Sequence, residues 1–202
     1  MFYNSIVTIA KLFSILLYRV KIIGKENIPD GAAVVCGNHT AQHDPVFVIH
    51  AFGYKHRLYP MSKAENKKKL IGRILRRMDI IFVERGKSDI AAIKKSLQLL
   101  KDGGKLLIYP EGTRVKEGQN VEAKRGAIML ANRCNAPIVP VYTTAGGKRP
   151  FSRVRIVIGA PYMIETEGKP SGEFMDAKAA ELLNIIAQLG DEDKCPSYEP
   201  PV

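Results

Sequence analysis

The sequence predicts a single α/β domain: a largely parallel central sheet flanked by helices, with an N-terminal amphipathic helix in front. Three observations carry this. Short apolar runs suited to buried strands recur at 32–35, 80–85, 105–109, 137–142 and 154–159. Stretches with helical spacing of apolar residues stand between them, at 45–52, 90–100, 122–135 and 173–189. Alternation of this kind gives parallel strands joined by crossover helices. Polar residues follow directly on several strand ends, at the sheet edge where α/β proteins bind ligands.

Along the chain, Phe2, Ile6, Ile9, Phe13, Leu16 and Val20 repeat at helical spacing. Asn4, Ser5, Lys11, Ser14 and Arg19 interrupt the apolar run, so it is not a spanning helix, which needs about 20 clean residues. Residues 1–19 therefore read as an amphipathic helix. It suits a membrane interface, and it equally suits packing on the domain's own core. A signal peptide is disfavoured, because there is no basic start and no small-residue cleavage site.

The domain proper is read over 20–190, with a loose polar tail at 191–202. A strand over 20–24 leads to a turn at 26–31. A helix over 45–52 closes near Gly53, with Asp44 as its N-cap and Pro45 at its first position. Residues 57–61 suit a short strand despite Pro60. Residues 63–77 read as a basic helical stretch that faces either solvent or anionic headgroups. Ser88 suits the cap of the next helix, whose inner face is Ile90, Ile93, Leu97 and Leu100, with Gly103 and Gly104 as the stop. The strand at 154–159 alternates weakly, as near an edge. Phe174, Ala177, Leu182, Ile185, Ile186 and Leu189 face inward from the last helix.

Composition narrows the class. The chain has 202 residues, 46% hydrophobic, which suffices for one sizeable core. Its formal net charge of +11 favours an anionic partner: nucleic acid, an anionic membrane or a phosphorylated substrate. Nucleic acid is disfavoured, because no recognition motif or basic-aromatic interleaving appears. Cys36, Cys134 and Cys195 have no metal-type spacing and read as reduced thiols. No metal or cofactor is expected. Cys36 stands three residues before His39, but a small apolar residue ending a buried strand is the commoner role.

The stretch from Cys36 to Pro45 carries the chemistry. His39 sits on a loop between a strand end and a helix start. Asp44 lies five positions on, which on one helix would be about 140° round. Across a turning loop its carboxylate can reach the imidazole, giving a base with an orienting acid. Arg85 ends one strand and Arg114 follows another, each a planar fork for phosphate oxygens. Glu111 suits a partner for Arg114 or for a substrate hydroxyl, and Gly112 suits close approach of backbone to ligand.

Four segments in order resemble one family, the glycerolipid acyltransferases typified by bacterial 1-acyl-glycerol-3-phosphate acyltransferase. They are Asn38-His39-x4-Asp44-Pro45, Ile81-Phe82-Val83-Glu84-Arg85-Gly86, Tyr109-Pro110-Glu111-Gly112-Thr113-Arg114 and Ile138-Val139-Pro140-Val141. Tyr109 stands where the family's third box has Phe, and no second amphipathic N-terminal helix is read. The resemblance implies transfer of a fatty acyl group from acyl-CoA or acyl-carrier protein to the hydroxyl of lysophosphatidic acid, making phosphatidic acid. Another lysophospholipid or a lyso-amino-acid lipid is the alternative acceptor. The resemblance further implies His39 as general base, oriented by Asp44. It gives Arg85, Glu111, Gly112, Thr113 and Arg114 the acceptor's glycerol phosphate, and Lys63 and the backbone of Gly86 the oxyanion. The implied location is the cytoplasmic face of the cell membrane, peripherally bound to an anionic surface.

Overall fold

The computed structural model describes residues 2–68, 72–84, 89–115, 121–144, 149–166 and 168–191. Its strands are β1 (Arg19–Ile23), β2 (Ala33–Gly37), β3 (Leu58–Lys63), β4 (Ile81–Val83), β5 (Lys105–Ile108), β6 (Ile138–Thr143) and β7 (Arg153–Ile158). Its helices are α1 (Phe2–Leu17), α2 (Asp44–Phe52), α3 (Gly72–Arg77), α4 (Ile90–Lys101), α5 (Gly126–Cys134) and α6 (Gly172–Gln188).

The strands form one seven-stranded sheet in the order β1-β7-β6-β2-β5-β3-β4. Every neighbouring pair is parallel except β6 with β7. β2 lies at the centre, fully buried between β5 and β6. Because side chains alternate across a strand, Val34 and Val35 enter different cores. Val35 joins Phe47, Leu107, Val139 and Ile156 beneath α1 and α2. Val34 joins Leu106, Ile128, Ile138 and Leu182 beneath α4, α5 and α6. Each such fully buried side chain contributes roughly 1.5–3 kcal/mol, so this is a three-layer domain organised on β2.

Several local expectations change. The basic stretch at 63–77 is not one helix. Lys63 ends β3, Ala64–Lys68 forms a 3-10 turn, and α3 has only six residues. β3 pairs with β5 through Pro60 and with β4 from Met61 onward, so its change of partner falls at the residue that has no N–H to give. Ser88 lies outside the described residues. Asp89 caps α4 instead, accepting from Ala92 N at 2.9 Å. Ile90 is exposed rather than inward, and on α6 Ala179 takes the buried place expected of Ala177. Residues 122–125 are not helical, and α5 starts at Gly126. β7 does lie near the edge, as its weak alternation suggests, one strand in from β1.

The amphipathic N-terminal helix has two apolar faces. Tyr3, Val7, Ala10 and Ser14 are buried, with Phe2, Ile6 and Phe13 packed against the α2 core. Of the residues read at helical spacing, Ile9 and Leu16 point outward beside Leu12 and Ile15. Among the described residues, no helix is long and apolar enough to cross a membrane.

Candidate active site

β2 delivers the chain to the carboxyl edge of the sheet, and the loop from Asn38 to His43 carries it into α2. The loop is pinned first at its root. Asn38 Nδ2 donates to Thr143 O at 3.0 Å, and Thr143 N donates to Asn38 Oδ1 at 2.8 Å. This two-bond clamp ties the end of β2 to the end of β6.

His39 Nδ1 lies 3.1 Å from Asp44 Oδ2. The same oxygen accepts the backbone N–H groups of Thr40 and Ala41, each at 2.7 Å. Asp44 was expected as an N-cap. Instead it is the first helical residue and its carboxylate turns back into the loop, away from the helix's own N–H groups. A carboxylate only accepts, so Nδ1 carries the proton and Nε2 is the basic nitrogen. Asp44 is 0% exposed, whereas the His39 side chain keeps 18% exposure. The carboxylate is sealed in and the imidazole reaches solvent.

The Tyr109–Arg114 box closes over this pair. Glu111 Oε2 accepts the main-chain N–H of His39 at 2.7 Å, and Val115 N donates to His39 O at 2.8 Å. The main chain of His39 is thus held on both sides by the segment from Glu111 to Val115. Burial, and then the nearby Asp44 charge, push the Glu111 carboxyl up to about 7 against the opposing pull of the His39 N–H. Gly112, at φ +66, turns the box, and its N–H bonds Tyr109 O at 2.9 Å.

The Tyr109 ring stacks on the His39 imidazole, with centroids 4.2 Å apart and planes 22° apart. Burial, followed by the charges of Asp44 and Glu111, holds its phenol well above the usual range, so it stays protonated. Gly37 leaves room for this ring, since a Cβ there would meet Tyr109 Cε1 at 3.2 Å. From sequence Tyr109 was only an aromatic replacement, and Asn38 only a letter in the box. The strand register that brings them to the imidazole is not readable from spacing alone.

Thr113 and Arg114 are exposed just beyond Glu111, and Lys63 is exposed at the carboxyl end of β3. β3 and β4 run parallel to β5, so Lys63 and Val83 reach the same sheet edge as His39. Arg85 and Gly86, two and three residues past the end of β4, lie outside the described residues. Cys36 is not part of the site. It is fully buried in β2, and burial pushes its thiol far up, which rules out a thiolate nucleophile.

The acyltransferase family model matches residues 19–144, from β1 past the end of β6. This chain belongs to the acyltransferase family. The match includes the His39–Asp44 pair and the Tyr109–Arg114 box. Among similar proteins, the 1-acyl-sn-glycerol-3-phosphate acyltransferase of Bacillus subtilis is 31% identical over 177 residues, covering 84% of this chain and 87% of its own. A probable 1-acyl-sn-glycerol-3-phosphate acyltransferase of Mycoplasma pneumoniae is 33% identical over 140 residues, covering 65% of this chain and 53% of its own. The chain thus spans about half the length of the Mycoplasma relative. The crystal structure of the 1-acyl-sn-glycerophosphate acyltransferase PlsC from Thermotoga maritima superposes with a TM-score of 0.73. It covers 98% of this chain and 81% of its own at 23% identity, which establishes the shared fold. The matched region of this acyltransferase stops before β7 and α6, so the antiparallel strand and last helix complete the sheet from outside it.

Proposed function

We propose that the acyltransferase moves a fatty acyl group from a thioester, acyl-CoA or acyl-carrier protein, to the sn-2 hydroxyl of 1-acyl-glycerol-3-phosphate, making phosphatidic acid. The observation that carries this reading is the hydrogen bond between His39 Nδ1 and the sealed carboxylate of Asp44, which leaves Nε2 as the basic nitrogen of a side chain that keeps 18% exposure. In the proposed step, Nε2 takes the hydroxyl proton as the oxygen attacks the thioester carbonyl. The tetrahedral intermediate collapses, the C–S bond breaks, and the imidazolium returns the proton to the leaving thiolate. Asp44 stabilises the imidazolium in between. A thioester is activated enough for one direct transfer, so the scheme uses no acyl-enzyme and no metal.

Arg114, with Arg85, takes the acceptor phosphate, and Gly112 and Thr113 line its glycerol. The exposure of Arg114 beside the His39 loop supports this assignment. Glu111 serves the acceptor through its position and holds His39 in place. Lys63 and the Gly86 N–H stabilise the oxyanion. The net charge of +11 supports work at an anionic membrane, bound peripherally on the cytoplasmic face.

The test is to offer purified protein labelled acyl-CoA and acyl-carrier protein against a panel of lysolipids. Phosphatidic acid should form from the glycerol-phosphate acceptor, and His39→Ala should abolish it while staying folded. Preference for another lysolipid would change the acceptor and leave the mechanism standing. Wild-type turnover by His39→Ala would end it.

A further inference from the structure

We propose that Phe151 is a membrane-inserting wedge that, with the outward apolar row of α1, sets the catalytic edge of the sheet against an anionic bilayer. This rests on the reading of a peripheral lipid acyltransferase given above. Phe151 is 71% exposed, and it holds a left-handed backbone at φ +66, a conformation that a bulky residue adopts at a cost. Among the described residues, the packing of a ring this exposed does not repay that cost.

The loop around it is stitched to the junction of α1 and β1. Phe151 N donates to Leu17 O at 2.5 Å, and Arg19 N donates to Ser152 O at 3.0 Å. Leu17 is the last residue of α1, so the Phe151 ring stands at that helix's carboxyl end. Up the same helix runs the outward row of Ile9, Leu12, Ile15 and Leu16, which are 61%, 52%, 55% and 67% exposed. Positions 9, 12 and 16 share one helical face. Four exposed cations, Lys11, Arg19, Arg149 and Arg153, frame the patch. An apolar ridge ringed by basic side chains complements an interface with acyl chains below and anionic headgroups around.

Topology places the Phe151 end of this ridge at the sheet edge that carries the His39 loop. β7 runs antiparallel to β6, so its first residues lie at the edge where β6 ends, beside the Asn38–Thr143 clamp. Thr143 is level with Ile156, and Arg153 and then Phe151 extend beyond it. The single antiparallel pair in the sheet therefore carries Phe151 out past the same edge as the His39 loop. It lies about two strand spacings, roughly 10 Å, across the sheet from β2. A bilayer that takes up Phe151 would lie at the sheet edge that carries His39.

The chain contains no tryptophan, so Phe151→Trp places a lone reporter at the tip. On adding vesicles of equal phosphatidylglycerol and phosphatidylcholine, its emission should shift to shorter wavelength and become shielded from aqueous iodide. Phe151→Asn suits the left-handed backbone. It should weaken co-sedimentation with those vesicles roughly tenfold or more, the equivalent of exposing one phenyl ring. Its turnover of a monodisperse short-chain acceptor should stay at the wild-type value. Unmoved Trp emission in protein that still co-sediments overturns the wedge and leaves membrane docking intact, with Leu16→Gln then expected to abolish binding. Wild-type protein that ignores the vesicles overturns both. Self-association in sedimentation velocity that Phe151→Asn abolishes would make the ridge a contact between copies, and overturn the proposal.

Discussion

The main-chain N–H of His39 donates to Glu111 Oε2 at 2.7 Å, and these two residues keep the 72-residue offset that pairs Ala33 with Lys105. The parallel register of β2 with β5 runs on past both strand ends. It sets Gly37 beside Tyr109 and His39 beside Glu111. The His box and the Glu111 box are therefore neighbours because two strands are in register, and the site is an extension of the sheet ladder.

Asp44→Asn should stay folded and lose transfer by roughly 10²–10⁴-fold. Its side-chain oxygen can still accept from Thr40, Ala41 and His39 Nδ1, but a neutral amide lacks the negative charge that stabilises the imidazolium. Single-turnover assays with saturating donor check the chemistry apart from product release.

Glu111→Gln separates holding from charge. Gln keeps an acceptor for the His39 N–H, whereas Glu111→Leu strands that donor and should cost about 1–3 kcal/mol of stability. The pH dependence has a definite sign. The unfolded carboxyl titrates near 4.5 and the folded one near 7, so between these values the folded state holds a proton that the unfolded state has released. The stability contributed by this group should fall as pH rises from about 4.5 to 7 and then level off. Denaturant midpoints across that range should decline more in wild type than in Glu111→Gln.

Tyr109→Phe should leave turnover nearly unchanged, since the ring and not the buried hydroxyl touches His39. Tyr109→Leu removes the stack, worth about 0.5–1.5 kcal/mol, and should lower kcat several-fold. The two variants differ in the packing on the imidazole, so equal kcat for both would deny the ring a positioning role.

Arg114→Ala should raise the acceptor KM tenfold or more and change the donor KM little, because one fork for the phosphate is lost. Equal loss on an uncharged acceptor analogue would remove Arg114 from phosphate binding. Initial-rate kinetics with both substrates varied give the answer.

Much of the fold was readable because its signals are local. The apolar runs at 105–109 and 137–142 gave β5 and β6, and Pro45 before an apolar stretch gave α2. Where neighbours outweighed propensity, the local reading slipped. Asp44 reads as a helix cap, but three donors draw its carboxylate into the loop. Residues 63–77 read as one helix, but sheet pairing claims Lys63 for β3. The apolar spacing of residues 1–19 suits membrane and core alike, and only the packing shows that Tyr3, Val7 and Ala10 take the core while Ile9 and Leu16 face out.

By itself the sequence determined which chemistry is on hand: an imidazole and a carboxylate at the right spacing, with guanidiniums and glycines at strand ends. Such groups are covalent facts of the chain. Only the tertiary structure decided that Glu111 grips the main chain of His39, that Tyr109 covers its ring, and that β7 turns back to bring Phe151 to the sheet edge of the His39 loop. Each of these depends on strand register and direction, which arise from pairing between distant segments and leave no periodic trace in either partner alone.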